Sequence, residues 1–214
     1  MPIAIARAHR RAFLGALPGL AAMGVWPGAA FAHDAHAAHG QPVKDAVVPM
    51  KQPEGPVTDR APVGAIPLQL ADGRKANLQA LLRGQLTAVQ LMFTGCGTTC
   101  LLQGALFAQV QEQLRARQVN ARLLSISIDA LGDDAKGLDA WLTKFGAQRD
   151  AWTAAVPELR GVERMLAAFQ LGSAQDAVPH LNRVFLFDRR GAMTWATAVD
   201  PQPAQVTELL SRRA

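Results

Sequence analysis

From residue 63 onward, apolar positions fall into short blocks whose period switches between strand-like and helix-like. Residues 66–78, IPLQLADGRKANL, alternate and then break at Asp72-Gly73, which predicts a short strand pair joined by a tight turn. Residues 87–93, TAVQLMF, form a mostly apolar run suited to a central strand buried on both faces. Leu102, Leu106, Val110 and Leu114 then recur every four residues, so a helix is expected over 101–118. A second buried strand is expected at 121–129, ARLLSISID, and helices at 134–146 and 161–171. Residues 182–197, NRVFLFDRRGAMTWAT, read as a hairpin turning at Arg190-Gly191. Residues 203–213 read as a closing helix with Pro203 in its first turn. Strands alternating with helices before a terminal hairpin predict one α/β domain over 63–214, with a central mixed sheet flanked by helices. The aromatic residues Trp141, Phe145, Trp152 and Trp195, with Met193, are expected to pack in or around its core.

The preceding residues lack either period. Residues 33–62 are rich in proline, glycine and charge and are expected to form a flexible linker. Residues 1–32 carry Arg7, Arg10 and Arg11 ahead of an Ala/Gly/Leu-rich stretch that ends in Ala30-Phe31-Ala32, the layout of an export signal. Arg10-Arg11 followed by Phe13-Leu14 resembles a twin-arginine signal, with a general secretory signal or an uncleaved anchor as alternatives. A periplasmic location is expected, with membrane contact only through this segment if it is retained. The segment also explains the charge. The whole chain has 22 Lys+Arg against 17 Asp+Glu, but residues 33–214 hold 19 against 17. That near-balance excludes the electrostatic footprint of a nucleic-acid-binding domain.

The chain has two cysteines, Cys96 and Cys100, in FTGCGTTC between the buried strand and the helix. Unpaired N–H groups and the partial positive charge at a helix start favour a thiolate, which is both a nucleophile and a metal ligand. Three roles are open. A structural disulfide would close a very small loop and stabilise little. A redox pair would act by thiol–disulfide exchange. A metal pair would offer two soft donors, for which Cu(I) is the natural guest and zinc the competitor. One histidine, His180 in DAVPHLNRVFLFD, lies within the expected domain and is the available imidazole for a third donor. Cys96, Cys100 and His180 would form a trigonal two-sulfur, one-nitrogen set able to hold Cu(I) and also Cu(II). His33, His36 and His39 open the linker, and cleavage after Ala32 would expose the His33 amine and imidazole as a further copper chelate.

FTGCGTTC, LLSISIDALGDDA and VPHLNRVFLFDRRG, in that order, resemble the Sco/SenC family. The resemblance implies a thioredoxin-like copper chaperone that assists assembly of the dinuclear copper (CuA) centre of cytochrome c oxidase. It assigns the metal-ligand positions to Cys96, Cys100 and His180, and an acidic pair to Asp129 and Asp133. Family members usually carry proline after each cysteine, where this chain has Gly97 and Leu101. Asp129 and Asp133 also fit plain caps at a strand end and helix start, or a docking surface. The implied partners are a cytochrome c oxidase subunit or another cuproprotein, together with a thioredoxin-like reductant.

Two functions from different classes follow. The first is a copper carrier; the second is an enzyme, a thiol-disulfide oxidoreductase in which Cys96 and Cys100 are catalytic and reduce a target's cysteines before metallation. A thiol peroxidase fits poorly, because Phe93 and Gly97 stand where its threonine would be for Cys96 and Cys100 respectively.

Overall fold

The computed structural model describes residues 54–58, 61–171 and 182–214. One eight-stranded mixed sheet runs through them. In chain order the strands are β1 (Gly55–Pro56), β2 (Pro67–Leu70), β3 (Lys75–Asn77), β4 (Leu86–Met92), β5 (Ala121–Ser127), β6 (Trp152–Pro157), β7 (Val184–Phe187) and β8 (Met193–Ala196). The helices are α1 (Leu78–Leu82), α2 (Thr99–Ala116), α3 (Ala135–Lys144), α4 (Val162–Ala168) and α5 (Pro203–Ser211). The spatial order β1-β8-β7-β4-β5-β6-β2-β3 puts three parallel strands, β4, β5 and β6, in the middle and antiparallel pairs outside them.

Period-two alternation sorts β4 into two cores. Val89 and Leu91 join the cluster beneath α1 and α4, with Leu78, Leu82, Met165 and Phe169. Ala88 and Met92 join the cluster beneath α2, α3 and α5, with Phe107, Val110, Leu138, Trp141 and Val206. All seven β4 residues are buried, as expected of a parallel strand covered on both faces. Gln90, at the centre of β4, avoids isolation by donating to Ser125 Oγ at 2.9 Å, and Trp152 Nε1 donates to the same hydroxyl.

Both expected hairpins are present, and each turns at a glycine in the left-handed region, Gly73 (φ 82°) and Gly191 (φ 81°). Three findings differ from the sequence expectations. Gly55–Pro56, within the expected linker, pairs with Trp195 and Ala196 on β8, and Val57 is buried. Leu102 does not belong to the buried arc of α2 and is 65% exposed. Steps of four residues drift by about 40° each on a 3.6-residue helix, so the stripe leaves the core by that end. The inward positions there are Cys100, Gln103 and Gly104. Finally, β6 completes the parallel centre although WTAAVP carries no clear alternation. Trp141, Trp152 and Met193 are buried, while Phe145 packs on the α2–α3 side and Trp195 sits beneath the Arg213 guanidinium. Among the described residues no helix is long and apolar enough to cross a membrane.

Candidate metal centre

β4 ends at Met92, and four residues later the chain has turned enough for Cys96 N to donate to Phe93 O at 3.3 Å. Cys96 therefore lies on the loop, and Cys100 is the second residue of α2. Thr98, at the N-cap, makes no side-chain capping bond. The Cys96 sulfur takes that role, accepting from Cys100 N at 3.4 Å. A helix start thus aims an orphan donor at a sulfur. Both residues are buried, and both are thiols in this structure.

The two thiols differ in acidity. Burial, the largest influence on Cys96, raises its pKa; hydrogen bonds from Cys100 and Thr98 outweigh it, so the net shift is downward. For Cys100 burial dominates, and the neighbouring Cys96 and Asp133 charges add to it, pushing the thiol up to about 12. Cys96 is therefore the readier thiolate. A soft cation held between the sulfurs would have to displace the Cys100 proton, which makes binding proton-linked. Two adjacent, asymmetric thiols can serve as paired soft ligands or as an attacking and a resolving thiol.

Asp133 holds this loop in place. Its carboxylate accepts from Thr94 N at 2.9 Å, from the Thr94 hydroxyl, and from Ser127 Oγ at 2.6 Å. The cysteine loop after β4 is thereby tied to the end of β5. The capping expectation moves by one residue: Asp134 caps α3 by accepting from Gly137 N at 2.7 Å. Asp129 shapes its own loop, accepting from Gly132 N at 2.8 Å and Leu131 N at 3.3 Å. A Cβ on Gly132 would lie 2.3 Å from Asp129 Oδ2, so a side chain there would push the carboxylate away from its two N–H donors. Thr94 and Ser127 were not singled out in the sequence. The available signal was their position, one in the loop before Cys96 and the other at the end of the neighbouring strand.

His180, His33, His36 and His39 lie outside the described residues. Among the described residues no three His, Cys, Asp or Glu side chains converge as a metal site. The strand after His180 nevertheless starts at the cysteine end of the sheet. β7 runs antiparallel to β4 with Val184 opposite Gln90, so its first residue lies two positions from Met92 in register. Asn182, just before β7, is buried and bonded twice to Asp200: its side-chain amide donates to the Asp200 carboxylate, and its backbone carbonyl accepts from Asp200 N at 2.8 Å.

Comparison with known families decides the lineage of this arrangement. The SCO1/SenC family model matches residues 65–214. The chain belongs to the SCO1/SenC family. A SCO1 protein homolog of Bacillus subtilis (strain 168) is 29% identical to this SCO1/SenC chain over 84 residues, 39% of this chain and 43% of that relative, so the match spans less than half of the relative's length. ScoI of Bradyrhizobium japonicum, solved with copper bound, superposes with a TM-score of 0.59 at 16% identity, covering 72% of this chain and 100% of that one. BsSco, a member of the Sco family of cytochrome c oxidase assembly proteins in which a disulfide switch was identified, gives a TM-score of 0.61 at 21% identity, covering 71% of this chain and 92% of its own. At such identities the likeness establishes the fold, which is thioredoxin-like.

Proposed function

We propose that this SCO1/SenC protein is a periplasmic copper chaperone that delivers copper to the dinuclear copper centre of cytochrome c oxidase. Copper is its cargo, held by Cys96, Cys100 and His180. Residues 1–32 act as the export segment, and the stretch up to β1 tethers the carrier domain. The observation that carries the reading is the thiol pair at the α2 start, with one sulfur already accepting a helix N–H bond. Membership of a family with copper-bound relatives supports it. So does the direction of β7, whose first residue pairs beside the end of β4. A carrier must also release its ion, and a site on a loop and one helix start allows its donors to be replaced in turn by a partner's.

The reduced protein, titrated anaerobically with Cu(I) against a chromophoric chelator, tests this. One tight equivalent is expected, with most of the affinity lost in His180→Ala and retained when His33, His36 and His39 are replaced. Binding by the histidine tract alone, or an unaffected His180→Ala, would refute the ligand set. The asymmetric thiols favour one second reading, a thiol-disulfide oxidoreductase with Cys96 attacking and Cys100 resolving. Exchange chemistry survives loss of His180; copper carriage does not.

A further inference from the structure

Among the described residues four large apolar side chains are left exposed: Leu102 (65%), Leu131 (82%), Leu159 (60%) and Val199 (52%). The fold gathers all of them at one end of the sheet. Leu102 lies in the first turn of α2, directly after the thiol pair. Leu131 follows β5 and Leu159 follows β6, and both strands run parallel to β4. Val199 follows β8, which is antiparallel to β7 and therefore also runs in the direction of β4. In the order β8-β7-β4-β5-β6, the strand that delivers the cysteine loop lies midway between those that deliver Val199 and Leu159. Two strand spacings separate it from each, so the apolar positions spread about 10 Å to either side of the thiols.

Single exposed apolar side chains are ordinary, but a set confined to one end and ringed by polar groups marks a contact surface. The opposite end carries charge instead, with Arg189, Arg190 and Arg213 around the β7–β8 turn. At the cysteine end the sign reverses. The loop from Phe93 to Thr98 is uncharged, and Asp129, Asp134 and Asp200 join none of the ion pairs among the described residues. An apolar, uncharged centre inside a charged rim is the composition of an interface. Leu131 is moreover fixed in advance. Asp129 accepts from Leu131 N and Gly132 N, and Asp133 ties the same loop to Thr94 beside the thiols. A side chain presented on a fixed loop loses little freedom on docking.

The charges select the occupant. A second copy meeting this face with its own would set carboxylates against carboxylates. An anionic bilayer is repelled for the same reason. A protein with an apolar patch inside a ring of lysine and arginine satisfies both the centre and the rim. We propose that the cysteine end, through Leu102, Leu131, Leu159 and Val199, docks a copper-accepting protein whose own metal ligands lie in an apolar patch rimmed by basic side chains. The identity of this occupant rests on the copper reading of the thiol pair. Docking there sets the two metal sites face to face. Bonds from Cu(I) to the Cys96 and Cys100 sulfurs break as bonds to the acceptor's ligands form. The ion keeps its charge, no electron moves, and the freed thiolates take up protons from water.

The probe is the copper-binding domain of a cytochrome c oxidase, free of copper, mixed with the full chain, reduced and also free of copper. Calorimetry reads the affinity and amide hydrogen exchange reads the docked face. Exchange over residues 101–103, 129–132, 159–161 and 198–200 should slow at least severalfold, while residues 188–192 in the arginine turn stay unchanged. Affinity should fall severalfold from low to high salt, because the rim charges are exposed. Leu102→Gln combined with Leu131→Gln should weaken association at least about tenfold, and both positions are exposed, so Cu(I) affinity and the urea midpoint should match the parent. No association, slowing confined to the arginine turn, an affinity indifferent to salt, or a double variant within about twofold of the parent each overturns the proposal. Cu(I) titration of the parent separates the two readings. With Cu(I) taken up, any of those results removes the docking face alone; with none taken up, the copper reading falls and this occupant with it.

Discussion

Replacing Asp133 by alanine should loosen the cysteine loop at a cost that its hydrogen bonds allow one to work out. The carboxylate is about nine-tenths buried and accepts from Thr94 N, the Thr94 hydroxyl and Ser127 Oγ. Hydrogen bonds to a charged group contribute about 1.5–3 kcal/mol, and a buried donor left without a partner costs about 1–3 kcal/mol. The two hydroxyls can rotate to other acceptors, whereas the Thr94 N–H cannot. A loss of about 3 kcal/mol is therefore expected for Asp133→Ala, a large share of an ordinary domain's stability. Asp133→Asn is the informative companion. Its Oδ1 can accept from both Thr94 donors while its amide donates to Ser127 Oγ, so it gives up charge assistance and leaves the Ser127 O–H to turn to another acceptor, about 1 kcal/mol. Urea unfolding of both variants, completed by a double-mutant cycle with Thr94→Val, measures these values. The cycle should return a coupling of at least about 1 kcal/mol, because both substitutions remove the same bond. The Cys100 thiol also loses an anionic neighbour, so Asp133→Asn should alkylate faster at alkaline pH. An Asp133→Ala cost below about 0.5 kcal/mol, or an additive cycle, would show that the tie between the β4 and β5 loops does not hold the site.

A Cβ on Gly104 would lie 2.3–2.5 Å from the Phe145 ring, so Gly104→Ala should destabilise by about 1–2 kcal/mol in urea unfolding even though alanine favours helix, and Phe145→Leu should recover much of that loss. The fold keeps Cys100 protonated to about pH 12, against 9.0 for an ordinary thiol, so the unfolded chain loses this proton first as pH rises. Stability should be unaffected by Cys100 below about pH 9 and then fall by up to about 1.4 kcal/mol per pH unit toward 12; Cys100→Ser should flatten that fall in pH-dependent unfolding. Cys96, whose pKa is lowered, should react with iodoacetamide near neutral pH while Cys100 stays unmodified, as peptide mass analysis will reveal. Gly132→Ala should weaken the loop after β5, because the new methyl would collide with Asp129 Oδ2, and hydrogen exchange at the amide of residue 132 should be at least severalfold faster than in the parent chain.

Much of the fold was legible because its central strands are covered on both faces and its helices are not. β4 and β5 announce themselves as apolar runs, and Asp72-Gly73 and Arg190-Gly191 mark turns that require a left-handed glycine. β6 was obscure because Trp152, Ala154 and Val156 face one core while Ala155, between them, is buried in the other, erasing the alternation. β1 was obscure for a different reason. Glycine and proline are poor strand formers, and Gly55–Pro56 forms an edge strand through its partner β8 rather than through its own preference. At the site, residue type and spacing gave the thiol pair and its place before a helix. They could not give the acidity difference, which depends on how deeply Cys100 sinks and on which N–H groups reach Cys96. Nor could they separate Asp133 from Asp134: the two are adjacent, yet one ties down a loop and the other caps α3.

X-ray absorption at the copper edge of the reduced, one-equivalent Cu(I) protein tests the carrier reading most directly. Two sulfur neighbours and one nitrogen neighbour are expected, with the nitrogen lost in His180→Ala and one sulfur lost in Cys96→Ser. A copper environment built of nitrogen alone, or one unchanged by either substitution, would contradict the assignment of Cys96, Cys100 and His180 as the copper site.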